Sequence, residues 1–254
     1  MNIAVCVKQV VTRDWPLRAN ETAEWVKDQD ASFEMNEPDA YALEEALRLK
    51  EQHGGEVVVC VAGPSRVSQV IREALARGAD RAIHVQHDEL AFADADVVAS
   101  SLAHSMVSEQ FDLVLTGLQS DDQGFGQTGV ILAERLGLPH ATIVMEVDAA
   151  EPNTVRVKRE LEGGWFQWVS MPTPALLTIQ SGINQLRYAT LKGIMAAKKK
   201  EVRVVDLQEL QSAGQHIVRL YVPGKEKVTR FVEGAPDAAS RELIRLLREE
   251  ARVL

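Results

Sequence analysis

Between Asp112 and Gly129 the chain reads DLVLTGLQSDDQGFGQTG, a run whose residue types and spacing could hold a phosphate group. The apolar run Leu113-Val114-Leu115 ends at Thr116-Gly117, a polar loop with glycines at 117, 124, 126 and 129 follows, and QTGVILAERLGL reads as a helix. A strand, a glycine-bearing loop and a helix N-terminus in that order turn unpaired backbone N–H groups and the positive end of the helix dipole toward an anion. Gly124 and Gly126 carry no Cβ to hold a phosphate away from the backbone. No lysine follows the glycines as in a Walker A loop, and no G-x-G-x-x-G follows the first strand. The loop points to a nucleotide or another phosphate ligand; an ordinary glycine-rich strand-to-helix turn is the alternative.

Other residues with chemical potential read more plainly. His84 and His87 straddle a strand end without a nearby third ligand, so they are expected to be surface or edge histidines, not a metal pair. His140, after Pro139, is expected to begin a strand. No Ser-His-Asp or Cys-His constellation is suggested by spacing. Cys6 and Cys60, the two cysteines, lie inside the apolar runs IAVCV and VVVCV and read as small core residues of a reducing compartment. Lys198 to Lys200 read as a solvated helix end. Of Trp165 and Trp168, at least one is expected to be exposed or at an interface.

The elements that must position these residues alternate. Asn2 to Val10 reads as a buried strand, followed by a polar excursion over 11–35. Asn36-Glu37-Pro38-Asp39 reads as a helix start, with Asn36 as N-cap and Pro38 in the first turn, and the helix ends before Gly54-Gly55. Strands are expected at 56–63, 81–85 and 112–116, with helices at 67–78 and 94–109 between them. Strands that are continuously apolar and alternate with helices imply a mostly parallel sheet covered on both faces. Ligands of such sheets sit beyond the carboxyl ends of the strands, where Lys8, Gly63 and Gly117 fall. After Pro139, TIVMEV, TVRVKRE and WFQWVS read as antiparallel strands with a turn at Gly163-Gly164, and ALLTIQ (175–180) as a return to the main sheet. Asp237 to Leu254 reads as an amphipathic helix with Asp237 as its cap and Leu243, Ile244, Leu247 and Val253 on its apolar face.

Composition sets outer limits. A chain of 254 residues with 46% hydrophobic and 26% charged residues is long enough to bury a large core. A net charge of −9 argues against nucleic-acid binding. No apolar run approaches the ~18 residues of a membrane-spanning helix. A strand that starts almost at Met1 leaves no room for a signal peptide, so a cytoplasmic location is expected.

Five segments together, NEPDAYALEEALRLKE (36–51), ALARGADRAIHV (74–85), the 117–129 loop, VKRELEGGWFQ (157–167) and INQLRYATLKGIMAAKKK (183–200), resemble the β subunit of electron transfer flavoproteins, in order from residue 1 to about 205. The resemblance implies an α/β fold with a mostly parallel, doubly wound, Rossmann-like sheet that binds an adenine nucleotide. An antiparallel hairpin and a C-terminal arm ending in a helix complete it, with domains at 1–205 and 206–254 and the arm packing on a partner subunit. It implies a heterodimer with an α subunit that holds most of the redox FAD. That heterodimer would carry electrons from flavoprotein dehydrogenases to a quinone reductase or other acceptor, with no substrate chemistry of its own and no membrane insertion. The β subunit would hold a structural AMP, or a second FAD in the electron-bifurcating branch.

By position, the implied nucleotide site takes in Cys6, Asn36, Glu37, Pro38, Asp39 and Ala62. It continues through Gly117, Leu118, Gln119, Ser120, Asp121, Asp122, Gln123, Gly124, Phe125, Gly126, Gln127 and Thr128. The N–H groups around Gly126, Gln127 and Thr128, with the Thr128 hydroxyl, would be the phosphate ligands, while Asp121 and Asp122 would accept from ribose or loop N–H groups or face water. Gln123-Gly124-Phe125-Gly126 departs from the commoner loops of the family. It lacks the G-D-T-A-Q-V-G run of bifurcating members and looks closer to the trimethylamine-type branch, which favours AMP. Leu191 corresponds to the leucine with which the family docks on partner dehydrogenases. A free-standing nucleotide-binding sensor of the universal-stress type shares the α/β pattern and is the rival, but it does not account for 183–200.

Overall fold

Seven segments rich in Val, Ile, Leu and Ala become the parallel part of one nine-stranded sheet in the computed structural model, which describes residues 1–211, 213–224 and 229–254. In chain order the strands are β1 (Asn2–Cys6), β2 (Gln9–Val11), β3 (Phe33–Met35), β4 (Glu56–Gly63), β5 (Arg81–Gln86), β6 (Leu113–Gly117), β7 (His140–Asp148), β8 (Thr154–Glu160), β9 (Phe166–Pro172), β10 (Ala175–Ile179) and β11 (Val202–Asp206). The helices are α1 (Glu37–His53), α2 (Ser68–Arg77), α3 (Ala95–Met106), α4 (Thr128–Leu136), α5 (Leu191–Ala197) and α6 (Pro236–Glu249).

The sheet order is β11-β5-β4-β1-β6-β10-β7-β8-β9, while β2 and β3 pair antiparallel in a small sheet of their own. Every pair from β11 to β7 is parallel, and β7, β8 and β9 form the antiparallel end. Successive strand residues point to opposite faces, and here each face has its own core. Ile3, Val5, Val57, Val59, Leu113 and Leu115 pack with Leu43 and Leu47 of α1 and Ile71 of α2. Ala4, Cys6, Val58, Cys60 and Val114 pack with Leu102 of α3 and Leu132 of α4. The doubly wound, mostly parallel α/β architecture expected from the sequence is therefore present, with the antiparallel hairpin turning at Gly163-Gly164, both at positive φ.

Several boundaries differ from the sequence reading. The first strand does not run to Val10. Val7 N–H makes a last sheet bond to Cys60 O, and the N–H of Lys8 is then taken by the Asp39 carboxylate, so the chain leaves the sheet and restarts as β2. TIVMEV is antiparallel on one side only: β7 runs parallel to β10 and antiparallel to β8. EVRVVDL, given no place by its local pattern, supplies β11, the edge strand beside β5.

The chain forms two compact units, Met1–Arg219 and Leu220–Leu254. The second unit contains α6, which has Ala235 at its cap and Pro236 in its first turn; Asp237 is an acidic first-turn residue, not the cap. Val253 lies beyond the helix end, whereas Leu243 and Ile244 sit half-exposed on it. The expected arm at 206–254 spans residues 212 and 225–228, which lie outside the described residues. Among the described residues no helix is long and apolar enough to cross a membrane.

Candidate functional site

The carboxyl ends of β1, β4 and β6 open into one cleft, as the parallel topology requires. Cys6 and Lys8 come from the end of β1 and the residues after it, Ala62 from β4, and Thr116 and Gly117 from β6. Leu118, Gln119, Ser120, Gln123, Phe125, Gly126, Gln127 and Thr128 bring the loop and the first residue of α4 to the same space. Asn36 and Asp39 reach it from the start of α1. Glu37, Pro38, Asp121, Asp122 and Gly124 do not line it.

The loop takes its shape from side chains distant in sequence. Asn36 occupies the N-cap position of α1 but makes no cap bond with its side chain. Its amide nitrogen donates to Gln119 O at 2.9 Å and its oxygen accepts from Asp121 N at 2.9 Å, so it fixes the loop and not its own helix. Lys8 Nζ donates to Asp122 Oδ1 (2.7 Å), Gln123 Oε1 (3.1 Å) and Ser120 Oγ (3.3 Å). Outside the cleft, Arg13 pairs with Glu37 and with Asp121, the latter at 3.3 Å. Asp121 and Asp122 thus face cations and loop N–H groups.

Gly117 is glycine because Asp39 stands against it: an added Cβ would meet Asp39 Oδ1 at 2.5 Å. Gly126 has φ +63°, in the left-handed region that favours glycine. The turn there delivers the chain into α4, whose first N–H groups have no partner within the helix. The opposite wall is apolar, with Leu90 and Ala93 following β5 and Val98 and Leu102 projecting from α3. Sequence reasoning missed this wall, although its own rule, that sites form beyond strand ends, applied to β5 as well. It also placed Lys8 at a strand end without assigning it to the site. One side of the cleft is therefore a polar loop ending at a helix N-terminus, and the other is a surface suited to a flat apolar group.

Asp39, Cys6 and Cys60 are buried groups with displaced titration. Burial pushes the Asp39 carboxyl up to about 7, against the pull of the Lys8 N–H, the Asn36 side chain and the Gly117 N–H. Burial holds the Cys6 thiol well above its ordinary value, with Cys60 and Asp39 adding to the effect, and holds Cys60 at about 12. Both cysteines are buried, free core residues, and a thiol held protonated is a poor nucleophile.

His84 is buried, its Nε2 at 3.0 Å from Gly63 O, and so is not the surface or edge residue expected. The cause is β11: by covering the flank of β5 it turns an apparent edge into an interior strand. His87 accepts from Glu89 N at 3.2 Å in the turn that follows, and His140 opens β7. Trp165 and Trp168 are both exposed, with the Arg156 guanidinium 4.4 Å from the Trp168 ring centre. Leu191, the first residue of α5, is 84% exposed, and Tyr188, Ile194 and Met195 beside it in sequence are exposed as well. Lys200 departs from the solvated end expected of the lysine run, since its ammonium donates to Leu75 O (2.9 Å) and Ala79 O (2.5 Å).

Comparison with known proteins finds similarity along the chain. The family model for the electron transfer flavoprotein domain matches residues 24–210. The electron transfer flavoprotein subunit beta of Methylophilus methylotrophus is 36% identical over 261 residues, covering 98% of each chain. The subunit of the same name from Bacillus subtilis (strain 168) is 32% identical over 261 residues, covering 100% of both. The mitochondrial subunit beta of Oryza sativa subsp. indica is 36% identical over 264 residues, again with 100% of both chains covered.

Proposed function

The chain belongs to the electron transfer flavoprotein family, among its β subunits, and on that premise we propose that it is the nucleotide-binding half of a heterodimeric electron carrier. Its partner is an α subunit that holds most of a redox FAD, whose isoalloxazine takes up and releases the electrons. This chain does no substrate chemistry of its own: it binds a structural nucleotide, completes the interface with the α subunit and presents a docking element to flavoprotein dehydrogenases. Similarity over the full length replaces the universal-stress-type sensor reading, which gave no account of the 183–200 segment.

The observation that carries the nucleotide is the loop running from Gly117 into α4 opposite an apolar wall. An adenosine monophosphate suits both halves. The N–H groups of Gly126, Gln127 and Thr128 and the Thr128 hydroxyl would hold the phosphate at the helix N-terminus, and Leu90, Val98 and Leu102 would face the base. Among the described residues Lys8 is the one basic residue lining the cleft, and it already donates to Ser120, Asp122 and Gln123. The site is therefore built mainly from backbone dipoles. The loop's lack of the G-D-T-A-Q-V-G run of bifurcating members supports AMP over a second FAD.

The exposed cluster of Leu191 with Tyr188, Ile194 and Met195 supports docking of a partner dehydrogenase: large apolar side chains gathered on the surface mark an interaction site, with Leu191 as the anchor. The excursion at 11–35 and the helix α6 supply further surface for the α subunit; permanent interfaces of this kind commonly bury more than ~2,000 Å². The test is co-expression with the α chain, followed by extraction of bound nucleotides. One FAD and one AMP per heterodimer are expected. Two FAD would move the chain to the bifurcating branch, and no nucleotide in this subunit would refute the site.

A further inference from the structure

The exposed segment 188–195 is held at both of its feet. Before it, Asn184 Nδ2 donates to Tyr41 O (3.2 Å) and to Glu45 Oε2 (2.9 Å) of α1. Arg187 then grips Glu44 of the same helix with Nε on Oε2 (2.8 Å), Nη2 on Oε1 (3.0 Å) and its own backbone N–H on Oε2 (3.2 Å). Its Nη1 also reaches Glu51 Oε1 at 2.6 Å. Glu44 is buried. A planar guanidinium forked onto a carboxylate away from water fixes orientation as well as distance.

After the exposed residues, the second foot rests on α2. Gly193 lies so close to that helix that a Cβ would meet Ala76 O at 2.2 Å. Lys200 donates to Leu75 O and Ala79 O at the carboxyl end of α2, where helix carbonyls lack intrahelical partners. Between the two feet Thr190 caps α5, its hydroxyl accepting Gly193 N–H at 3.0 Å. Tyr188 and Leu191 stand out from this frame, the most exposed of the apolar side chains in the segment.

We infer that Arg187 and Lys200 are positioning residues for partner docking: they hold 188–195 in its binding shape before a dehydrogenase arrives, so that ordering this segment does not weaken the encounter. The inference rests on the reading of Leu191 as the docking anchor. Preorganisation raises affinity by removing an ordering cost, so the signature of its loss is a weaker encounter with an unchanged limiting rate. Lysine at 187 keeps the charge but cannot reproduce the fork.

The test uses the purified heterodimer with Arg187→Lys, Lys200→Met or Leu191→Ala. Donors are a panel of purified flavoprotein dehydrogenases, trimethylamine dehydrogenase among them, and dithionite is the small reductant. Arg187→Lys and Lys200→Met are expected to raise the KM for the donor roughly tenfold, about 1.4 kcal/mol, with kcat and dithionite reduction unchanged. Amide hydrogen exchange in 188–197 is expected to speed up in both. Because the two act from opposite feet, either remains informative if the other fails to assemble. Normal KM and normal exchange in both, with Leu191→Ala still slow, overturn the positioning role. A normal Leu191→Ala overturns the docking reading beneath it, and failure of every donor to reduce the wild-type heterodimer overturns the carrier function as well.

Discussion

Asp39, in the first turn of α1, accepts the backbone N–H of Gly117 at 2.9 Å on one carboxylate oxygen and that of Lys8 at 2.8 Å on the other. One side chain thus ties together the ends of β1 and β6, two of the three strands from which the cleft opens. It also accounts for a glycine that looked like part of a phosphate loop: Gly117 makes room for Asp39. Expectations for each substitution follow from such local relationships.

Asp39 gives the fold a pH dependence of definite sign. Its folded value is about 7 and its ordinary value 3.8, so between these the folded chain keeps a proton that the unfolded chain releases. The stability contributed by this group is full below about 3.8 and is lost as pH rises through about 7. Urea unfolding from pH 4 to 8 should show wild type losing stability relative to Asp39→Asn, by at most about 1.4 kcal/mol per pH unit. Parallel curves for the two proteins would contradict the assignment.

At Gly126 a β-branched residue meets both an unfavourable φ and the crowding of a close phosphate. Gly126→Val is therefore expected to abolish AMP binding in calorimetric titration of the heterodimer. Thr128→Ala should weaken it by about one charge-assisted hydrogen bond, roughly 1.5–3 kcal/mol. Unchanged affinity in both variants would remove the phosphate from α4.

Lys8 and Asp122 form a latch across the loop. Asp122→Asn removes the carboxylate that engages Lys8 and leaves its charge available to a ligand, so affinity for ADP should rise relative to AMP. A ratio of ADP to AMP binding no higher than in wild type would show that Asp122 does not hold Lys8 away from a ligand.

Leu191, at 84% exposure, leaves no cavity when truncated. Leu191→Ala should slow reduction by the partner dehydrogenase by about an order of magnitude, as hot-spot residues do, while the melting temperature and the FAD and AMP contents stay at wild-type values. A lowered melting temperature with a normal rate would mean the side chain packs on its own subunit.

Expressed without the α subunit, the chain should lack a yellow flavin spectrum and unfold at lower temperature than the heterodimer, because interface surface lies bare. A stable monomer carrying stoichiometric visible flavin would be incompatible with the proposed division of cofactors.

The order of elements was legible because it depends on short-range pattern. Continuous apolar runs such as EVVVCVAG specify strands buried on both faces, and Val67, Val70, Ile71, Ala74 and Leu75 recur at helical spacing. From alternation alone follow the parallel sheet and the rule that ligands gather at strand ends, which pointed to Lys8, Gly63 and Gly117. Of these Lys8 and Gly117 line the cleft, and Cys6 and Ala62 came from the family resemblance. Helix starts were legible for the same reason, as with Asn36 and Pro38.

Tertiary structure decided who meets whom. Asn36 has the type and position of a helix cap, yet its amide is spent on Gln119 and Asp121, more than eighty residues away. His84 looked like an edge residue until β11, from a segment left unassigned by its local pattern, covered its strand. Arg187 and Glu44 are 143 residues apart, and nothing in either neighbourhood announces their pairing. Periodicity records which face of an element is apolar, because burial imposes that locally. It carries no record of the polar partner across the fold, because a hydrogen bond is set by three-dimensional proximity and satisfied by many residue types.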